Sequence, residues 1–168
     1  MDFDSNTRQI LQTVYPELRA RVFRIYQDVF MNLGLTMRAT RGLSSMEEQR
    51  QIWMKGRNES GAIVDPKGVV TYATPGDSLH NYGFAVDSCF RGLDPYLALE
   101  PDQGLKSWNE FGRIAQQHGL EWGGTFKHFD GPHIQMRFGL DISYVKELYA
   151  EGGIKAVWTK ADAIVRGG

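Results

Sequence analysis

The chain has 168 residues, of which 42% are hydrophobic and 23% are charged, as is ordinary for globular proteins. This length suits one domain with one apolar core. The formal net charge of -1 supplies no basic field, so we expect no nucleic-acid partner. The single cysteine, Cys89, excludes an intramolecular disulfide and dependence on an oxidising compartment.

Two kinds of targeting segment are not recognised in this sequence. Residues 1–6 are acidic and contain no apolar run, unlike a secretory signal peptide. No segment approaches the roughly 20 apolar residues that a membrane-spanning helix needs. We therefore expect synthesis in the cytoplasm and no stable membrane insertion. If the substrate lies outside the membrane, the protein must be released across it.

The first two predicted helices have recognisable ends. Apolar residues at helical spacing predict a helix over residues 17–33, with Pro16 at its start and Gly34 at its stop. Ser45 and Glu48 fit a capping box, in which the two side chains and the two backbone amides satisfy each other. The sequence therefore predicts a second helix that begins at Ser45.

Strand signals are found in the middle of the chain. Residues 58–78 are rich in Gly, Pro, Asp and Ser, and they include a short β-branched run at 69–71, which predicts a brief strand between loops. Residues 84–90 and 133–138 alternate between apolar and small or polar side chains. This period of two predicts two further strands.

Three more helices are predicted in the second half of the chain. They span residues 105–118, begin after Ser143, and span residues 154–165. Helices and short strands are thus segregated rather than strictly alternating. This arrangement favours the α+β class over a wound parallel sheet.

Asp87 is an unusual residue for its predicted position inside an apolar strand. A carboxylate there needs a partner, because burying an unpaired charge is costly, and a metal ion is one such partner. His80 precedes it in the chain, and His133 opens the second strand on the face opposite its apolar residues. Catalytic zinc sites use three protein ligands and leave a position for water. Cys89 is a weaker candidate ligand, since about 6.6 Å of strand separates it from Asp87.

Asp130 is a candidate general base. It lies three residues before His133, beyond a turn at 131–132 that can direct its carboxylate over the metal site. Zinc lowers the pKa of a bound water to about 7, and a nearby carboxylate can then accept its proton. The alternative is that Asp130 only caps the turn.

These segments resemble the zinc peptidase family of bacteriophage L-alanyl-D-glutamate endopeptidases and the related D-alanyl-D-alanine carboxypeptidases. The serine, histidine, glycine and aspartate of the family pattern correspond to Ser78, His80, Gly83 and Asp87. The family's Trp-Gly-Gly stretch and its Asp-x-x-His motif follow at residues 122–124 and 130–133. The resemblance covers roughly residues 37–135, which is most of the chain.

The resemblance implies a function and a fold. It makes His80, Asp87 and His133 ligands of a zinc ion (Zn2+) and Asp130 the catalytic base. The implied fold is a small antiparallel sheet flanked by helices, as in hedgehog proteins and D-alanyl-D-alanine peptidases. The implied substrate is the stem peptide of bacterial peptidoglycan, cut at the L-alanyl-D-glutamate bond by a phage-type endolysin. We expect residues 1–168 to form one catalytic domain, monomeric and without a separate wall-binding module.

The resemblance also bears on the residues that contact the substrate. It implies four such residues: Ser78, Tyr82, Trp122 and His128. Family members often have an arginine that steadies the substrate or the oxyanion, but Ser44 stands at that position in a gap-free alignment. Arg41 and Arg38 lie nearby, and we expect Arg41 to take this catalytic role.

Three other functions are compatible with parts of this pattern. A D-alanyl-D-alanine carboxypeptidase or dipeptidase would use the same metal chemistry with a different pocket. A non-haem iron oxygenase also uses two histidines and one carboxylate, but His80 and Asp87 are widely spaced for it and Asp130 would have no role. A non-catalytic binding module could keep the metal for stability, and the presence of Asp130 argues against it.

Overall fold

The computed structural model describes residues 3–91 and 101–167. Contacts group the chain into two compact units. The first unit comprises Met1–Leu43 and Gly83–Met136, and the second comprises Ser44–Tyr82 and Arg137–Gly168. The assignment of residues 1–168 to a single catalytic domain stays a prediction.

The described residues form five α-helices and a small sheet. The helices are α1 (Ser5–Gln12), α2 (Pro16–Leu33), α3 (Met46–Trp53), α4 (Pro101–Gln117) and α5 (Ile142–Gly167). The strands are β1 (Met37–Arg41), β2 (Ala85–Phe90), β3 (Glu121–Trp122) and β4 (His133–Gln135). The strand order is β1-β2-β4-β3 and every pair is antiparallel. The predicted α+β fold with a small antiparallel sheet flanked by helices is confirmed.

The first unit buries one face of its sheet under α2 and α4. The hydroxyl of Tyr26 in α2 is 2.7 Å from that of Ser88 in β2, and the ring of Phe90 lies 4.6 Å from that of Trp108 in α4. Phe90 is 1% exposed, so this face belongs to the core. Because side chains alternate along a strand, Asp87 must point to the opposite face.

The second unit contains α3, α5 and a 3₁₀ helix at Leu79–Tyr82. The predicted capping box is present at the start of α3, where Ser45 and Glu48 exchange side-chain and backbone hydrogen bonds. Trp158 of α5 donates its indole N–H to the carbonyl of Tyr82 at 2.8 Å, which ties the 3₁₀ helix to α5. Within the described ranges, no helix is both long enough and apolar enough to cross a membrane.

Several predicted elements differ from the structure. The predicted strand at 69–71 is irregular and pairs with none of the strands formed by residues 3–91 and 101–167, and Val70 is 58% exposed. β-branched residues favour a strand only where a partner and a packing surface exist. β4 ends at Gln135 rather than at residue 138, because Phe138 adopts a left-handed conformation with φ 53° that turns the chain. The two predicted C-terminal helices, by contrast, are confirmed: both lie within α5 and are separated by the non-helical backbone of Gly152 and Gly153.

Candidate metal centre

The face of the sheet opposite α2 and α4 collects polar residues in register. Asp87 of β2 is paired with His133 of β4, and Gln135 of β4 is paired with Glu121 of β3. Directly paired residues in antiparallel strands place their side chains on the same face. The sheet therefore aligns Asp87, His133, Gln135 and Glu121 across neighbouring strands.

A β-bulge brings Arg41 to the same face. Arg38 pairs with Cys89 and Arg41 pairs with Asp87, and the register shifts between Ala39 and Arg41. The extra residue, Thr40, reverses the alternation, since a one-residue slip moves each following side chain to the other face. A guanidinium nitrogen of Arg41 lies 3.9 Å from a carboxylate oxygen of Asp87.

The other arginine considered above has a different partner. Arg38 donates from Nε to the sulfur of Cys89 at 2.9 Å. Cys89 is buried, and it is not part of the cluster of potential metal ligands found among the described residues. Of the two arginines, Arg41 is the one placed against Asp87.

The candidate metal ligands are His80, Asp87 and His133. His133 Nδ1 is 2.9 Å from Asp87 Oδ1. His80 lies in the 3₁₀ helix, where its carbonyl accepts a hydrogen bond from the backbone N–H of Ser44 at 3.0 Å. Asp87 and His133 are brought together within the first unit, and the sequence pattern adds His80, of the second unit, as the third candidate ligand. Two imidazoles and one carboxylate are a donor set that fits zinc with a position left for water.

The surroundings of His133 decide its protonation when no metal is bound. Burial disfavours the imidazolium, but the hydrogen bond and charge of Asp87, with smaller contributions from Gln135 and Asp130, outweigh it and raise the pKa of His133 above its ordinary value. Metal binding requires the neutral imidazole. A metal at this site therefore competes with a proton.

The loop before β4 places Asp130 next to His133. The backbone N–H of His133 donates to the carbonyl of Asp130 at 3.2 Å, and the N–H of Asp130 donates to Gly123 at 3.0 Å. A Cβ at Gly123 would lie 2.5 Å from the Asp130 carbonyl oxygen and 3.0 Å from the Cβ of His133. Glycine is thus required there by the close approach of this turn. Asp130 is exposed, and its role as base stays a prediction.

The four residues expected to contact substrate occupy different environments. The indole N–H of Trp122 donates to the carbonyl of Gly131 at 2.8 Å, and Trp122 is 6% exposed. Tyr82 is 1% exposed and donates to the carbonyl of Gly76 at 2.8 Å; burial raises its pKa to about 12. Both residues lie in the interior, and their contacts with substrate stay predictions. Ser78 is buried and His128 is exposed, and their contacts with substrate stay predictions.

Two site residues were not predicted from the sequence. His133 Nε2 is 2.9 Å from Gln135 Oε1, and Gln135 Nε2 donates to Glu121 Oε2 at 2.6 Å. The period of two already placed Gln135 on the face of His133. Nothing in the sequence indicated Glu121, because β3 is too short to show a periodicity.

The chain is similar to known proteins. Residues 72–136 match the family model described as D-alanyl-D-alanine carboxypeptidase, a range that includes the three candidate ligands and Asp130. The peptidoglycan L-alanyl-D-glutamate endopeptidase CwlK of Bacillus subtilis (strain 168) is 36% identical over 111 residues, which cover 62% of this chain and 63% of CwlK. The match thus spans a little under two thirds of the length of that relative.

Solved structures with a similar fold agree with this relationship. The L-Ala D-Glu endopeptidase ChiX of Serratia marcescens is 26% identical, with a TM-score of 0.51 over 82% of this chain and 91% of ChiX. A vancomycin resistance D,D-pentapeptidase, VanY, in complex with Zn(II), is 16% identical, with a TM-score of 0.54 over 86% of this chain and 83% of VanY. At that identity VanY supports the fold alone.

Proposed function

We propose that this chain is a zinc-dependent hydrolase of the peptidoglycan stem peptide, in the peptidase family of D-alanyl-D-alanine carboxypeptidases and L-alanyl-D-glutamate endopeptidases that its relatives indicate. The observation that carries this proposal is the pairing of Asp87 with His133 on neighbouring strands, with His133 Nδ1 2.9 Å from Asp87 Oδ1; the sequence pattern adds His80 as the third ligand. Asp130, directly before His133 in the loop, supplies a carboxylate that can act as base.

The proposed bond is the amide between L-alanine and D-glutamate. CwlK and ChiX, at 36% and 26% identity, are both named as endopeptidases of this bond. The carboxypeptidases and dipeptidases among the solved structures are 16–19% identical and support only the fold. The description of the family model keeps a D-alanyl-D-alanine carboxypeptidase or dipeptidase as the second candidate. These relatives leave the iron oxygenase and the non-catalytic module without support.

The proposed reaction assigns a role to each side chain. His80, Asp87 and His133 would hold the zinc, which when bound polarises a carbonyl oxygen and lowers the pKa of a water molecule to about 7. Asp130 takes the proton of the attacking water and returns it to the departing amine of D-glutamate as the C–N bond breaks. The guanidinium of Arg41 faces the same side of the sheet and donates hydrogen bonds to the developing oxyanion.

The proposed substrate also determines where the protein would act. A stem-peptide hydrolase acts on the cell wall, so a chain made in the cytoplasm must be released across the membrane. CwlK and ChiX are from Bacillus subtilis and Serratia marcescens, and a role as a bacteriophage endolysin stays a prediction. Action as a monomer without a wall-binding module also stays a prediction.

Digestion of purified peptidoglycan tests the proposed bond. We expect the zinc-loaded protein to release peptides with a new N-terminal D-glutamate and to leave glycan strands that end in L-alanine, as measured by mass spectrometry after N-terminal labelling. Asp130→Asn serves as the matched control because it keeps size and polarity. Free D-alanine as the main product would move the protein to the carboxypeptidase branch, and intact peptidoglycan would contradict a hydrolase.

A further inference from the structure

Three polar side chains form a row beside the candidate metal centre. Gln135 lies between His133, two residues before it on β4, and Glu121, its register partner on β3. The amide oxygen of Gln135 is 2.9 Å from His133 Nε2, and its amide nitrogen is 2.6 Å from a carboxylate oxygen of Glu121. His133 and Gln135 are only 7% and 6% exposed, so water competes little for these bonds.

The chemistry of this row fixes the direction of every hydrogen bond. A carboxylate can only accept, so Glu121 requires the amide nitrogen of Gln135 to face it. The amide oxygen of Gln135 then faces His133, and because this oxygen also only accepts, His133 Nε2 must carry a hydrogen. In a neutral imidazole the lone pair is consequently on Nδ1, the nitrogen that lies 2.9 Å from Asp87.

We propose that Glu121 and Gln135 are positioning residues that hold His133 in the tautomer and ring orientation whose Nδ1 binds the metal. This inference rests on the proposed zinc site and identifies the groups that orient one of its ligands. Partners that accept the distal N–H of a ligand histidine fix its tautomer, and their loss typically weakens metal binding by about 10–100-fold.

Zinc affinity is the first test. We expect Gln135→Leu, which removes the acceptor at similar size, to weaken zinc binding by about 10–100-fold in competition with a chromogenic chelator. Unchanged affinity in Gln135→Leu would overturn the inference. The matched control is Tyr26→Phe, which removes a buried hydrogen bond to Ser88 on β2, the strand that carries Asp87. It should lower the melting temperature and leave zinc affinity unchanged.

Exchanging the side chains of residues 121 and 135 tests whether the direction of their hydrogen bonds matters, apart from their packing. In the double variant E121Q/Q135E, a carboxylate at position 135 accepts from both His133 Nε2 and the amide at position 121. Composition and net charge are unchanged, and the hydrogen stays on Nε2. We expect near wild-type zinc affinity in the double variant and weaker binding in Gln135→Glu alone, where two carboxylates face each other. A double variant as weak as that single variant would contradict the inference.

The nitrogen resonances of His133 give a direct readout that does not depend on any variant folding. In long-range ¹H–¹⁵N spectra of the zinc-loaded wild type, we expect a protonated Nε2 and a metal-bound Nδ1. A metal-bound Nε2 would overturn the positioning role while leaving the zinc site intact. A wild-type protein that binds no zinc would instead contradict the proposed function, so the two failures are distinguishable.

Discussion

We expect Asp130 to be needed for catalysis and not for metal binding. Its carboxylate sits on the turn before His133 without belonging to the cluster of potential ligands in the described part of the chain. We expect Asp130→Asn to bind zinc nearly as wild type and to lose about 10²–10⁴ in hydrolysis rate, the usual worth of a positioned general base. Metal analysis and turnover on the same preparation measure both quantities. Loss of zinc in this variant would make Asp130 a ligand instead of a base.

Arg41 is the candidate replacement for the family arginine at the position of Ser44. Its guanidinium lies 3.9 Å from Asp87, whereas Arg38 donates to Cys89. Removing one donor to a developing oxyanion commonly costs about 10²–10³ in rate. We expect Arg41→Ala to lower kcat with zinc content unchanged.

Arg38→Ala is the natural comparison for this prediction, because it removes the same charge from the same strand. It should change kcat much less than Arg41→Ala does. If the two single variants and the double variant all turn over substrate normally, neither arginine replaces the family residue. The oxyanion would then depend on uncharged donors such as His128 or a backbone amide.

The sequence predicted individual residues of the candidate site better than it predicted the contacts between them. The spacing of His80, Asp87 and His133, and the position of an acidic residue within an apolar strand, indicated a metal site. The location of Arg41 could not be derived, because it depends on a bulge at Thr40 that exists only once β1 pairs with β2. Glu121 was missed for a similar reason, since its contact with Gln135 comes from strand pairing.

At the level of elements, local signals predicted the helices with clear ends. Gly34 ends α2 in a left-handed conformation with φ 67°, and its N–H bonds to the carbonyl of Phe30, as the flanking glycine indicated. The strand predicted at 69–71 was wrong, while β1 and β3 were missed. Strand formation depends on a partner distant in sequence, which a short local pattern does not reveal.

The loop between β3 and β4 has no room for a side chain at Gly123. A Cβ at Gly123 would meet the Asp130 carbonyl oxygen at 2.5 Å, and this contact is with backbone that cannot rotate away. We expect Gly123→Ala to displace Asp130 and His133 together, so that both zinc affinity and hydrolysis fall. Gly139→Ala is a useful comparison, because nothing lies within 4 Å of its Cβ although φ is 73°. It should cost stability without weakening zinc binding.

Metal binding should stabilise the folded state of the protein against unfolding. A ligand at 100 times its dissociation constant stabilises the folded state by about 2.7 kcal/mol. For a chain of this size, each kcal/mol corresponds to roughly 2–4 °C in melting temperature. We expect a chelator to lower the Tm of the wild type and to leave that of His133→Ala unchanged. Equal chelator sensitivity in both would place the stabilising metal elsewhere.

The stabilisation by zinc should also depend on pH in a defined direction. The pKa of His133 is raised in the metal-free protein, so this group stabilises the metal-free fold at low pH and that contribution is lost as pH rises through the raised pKa. Zinc binds the neutral imidazole and is therefore favoured on the alkaline side. We expect the Tm difference between zinc-loaded and chelated protein to grow as pH rises through this range.

Anomalous X-ray scattering at the zinc edge measures both the identity of the metal and its position in the protein. Crystals of the zinc-loaded protein should give an anomalous peak about 2.0–2.2 Å from a nitrogen of His80, a nitrogen of His133 and a carboxylate oxygen of Asp87. A zinc peak held by other residues, Cys89 among them, would contradict the account. It would also be contradicted by a protein that gives no zinc peak and still hydrolyses peptidoglycan in the presence of chelator.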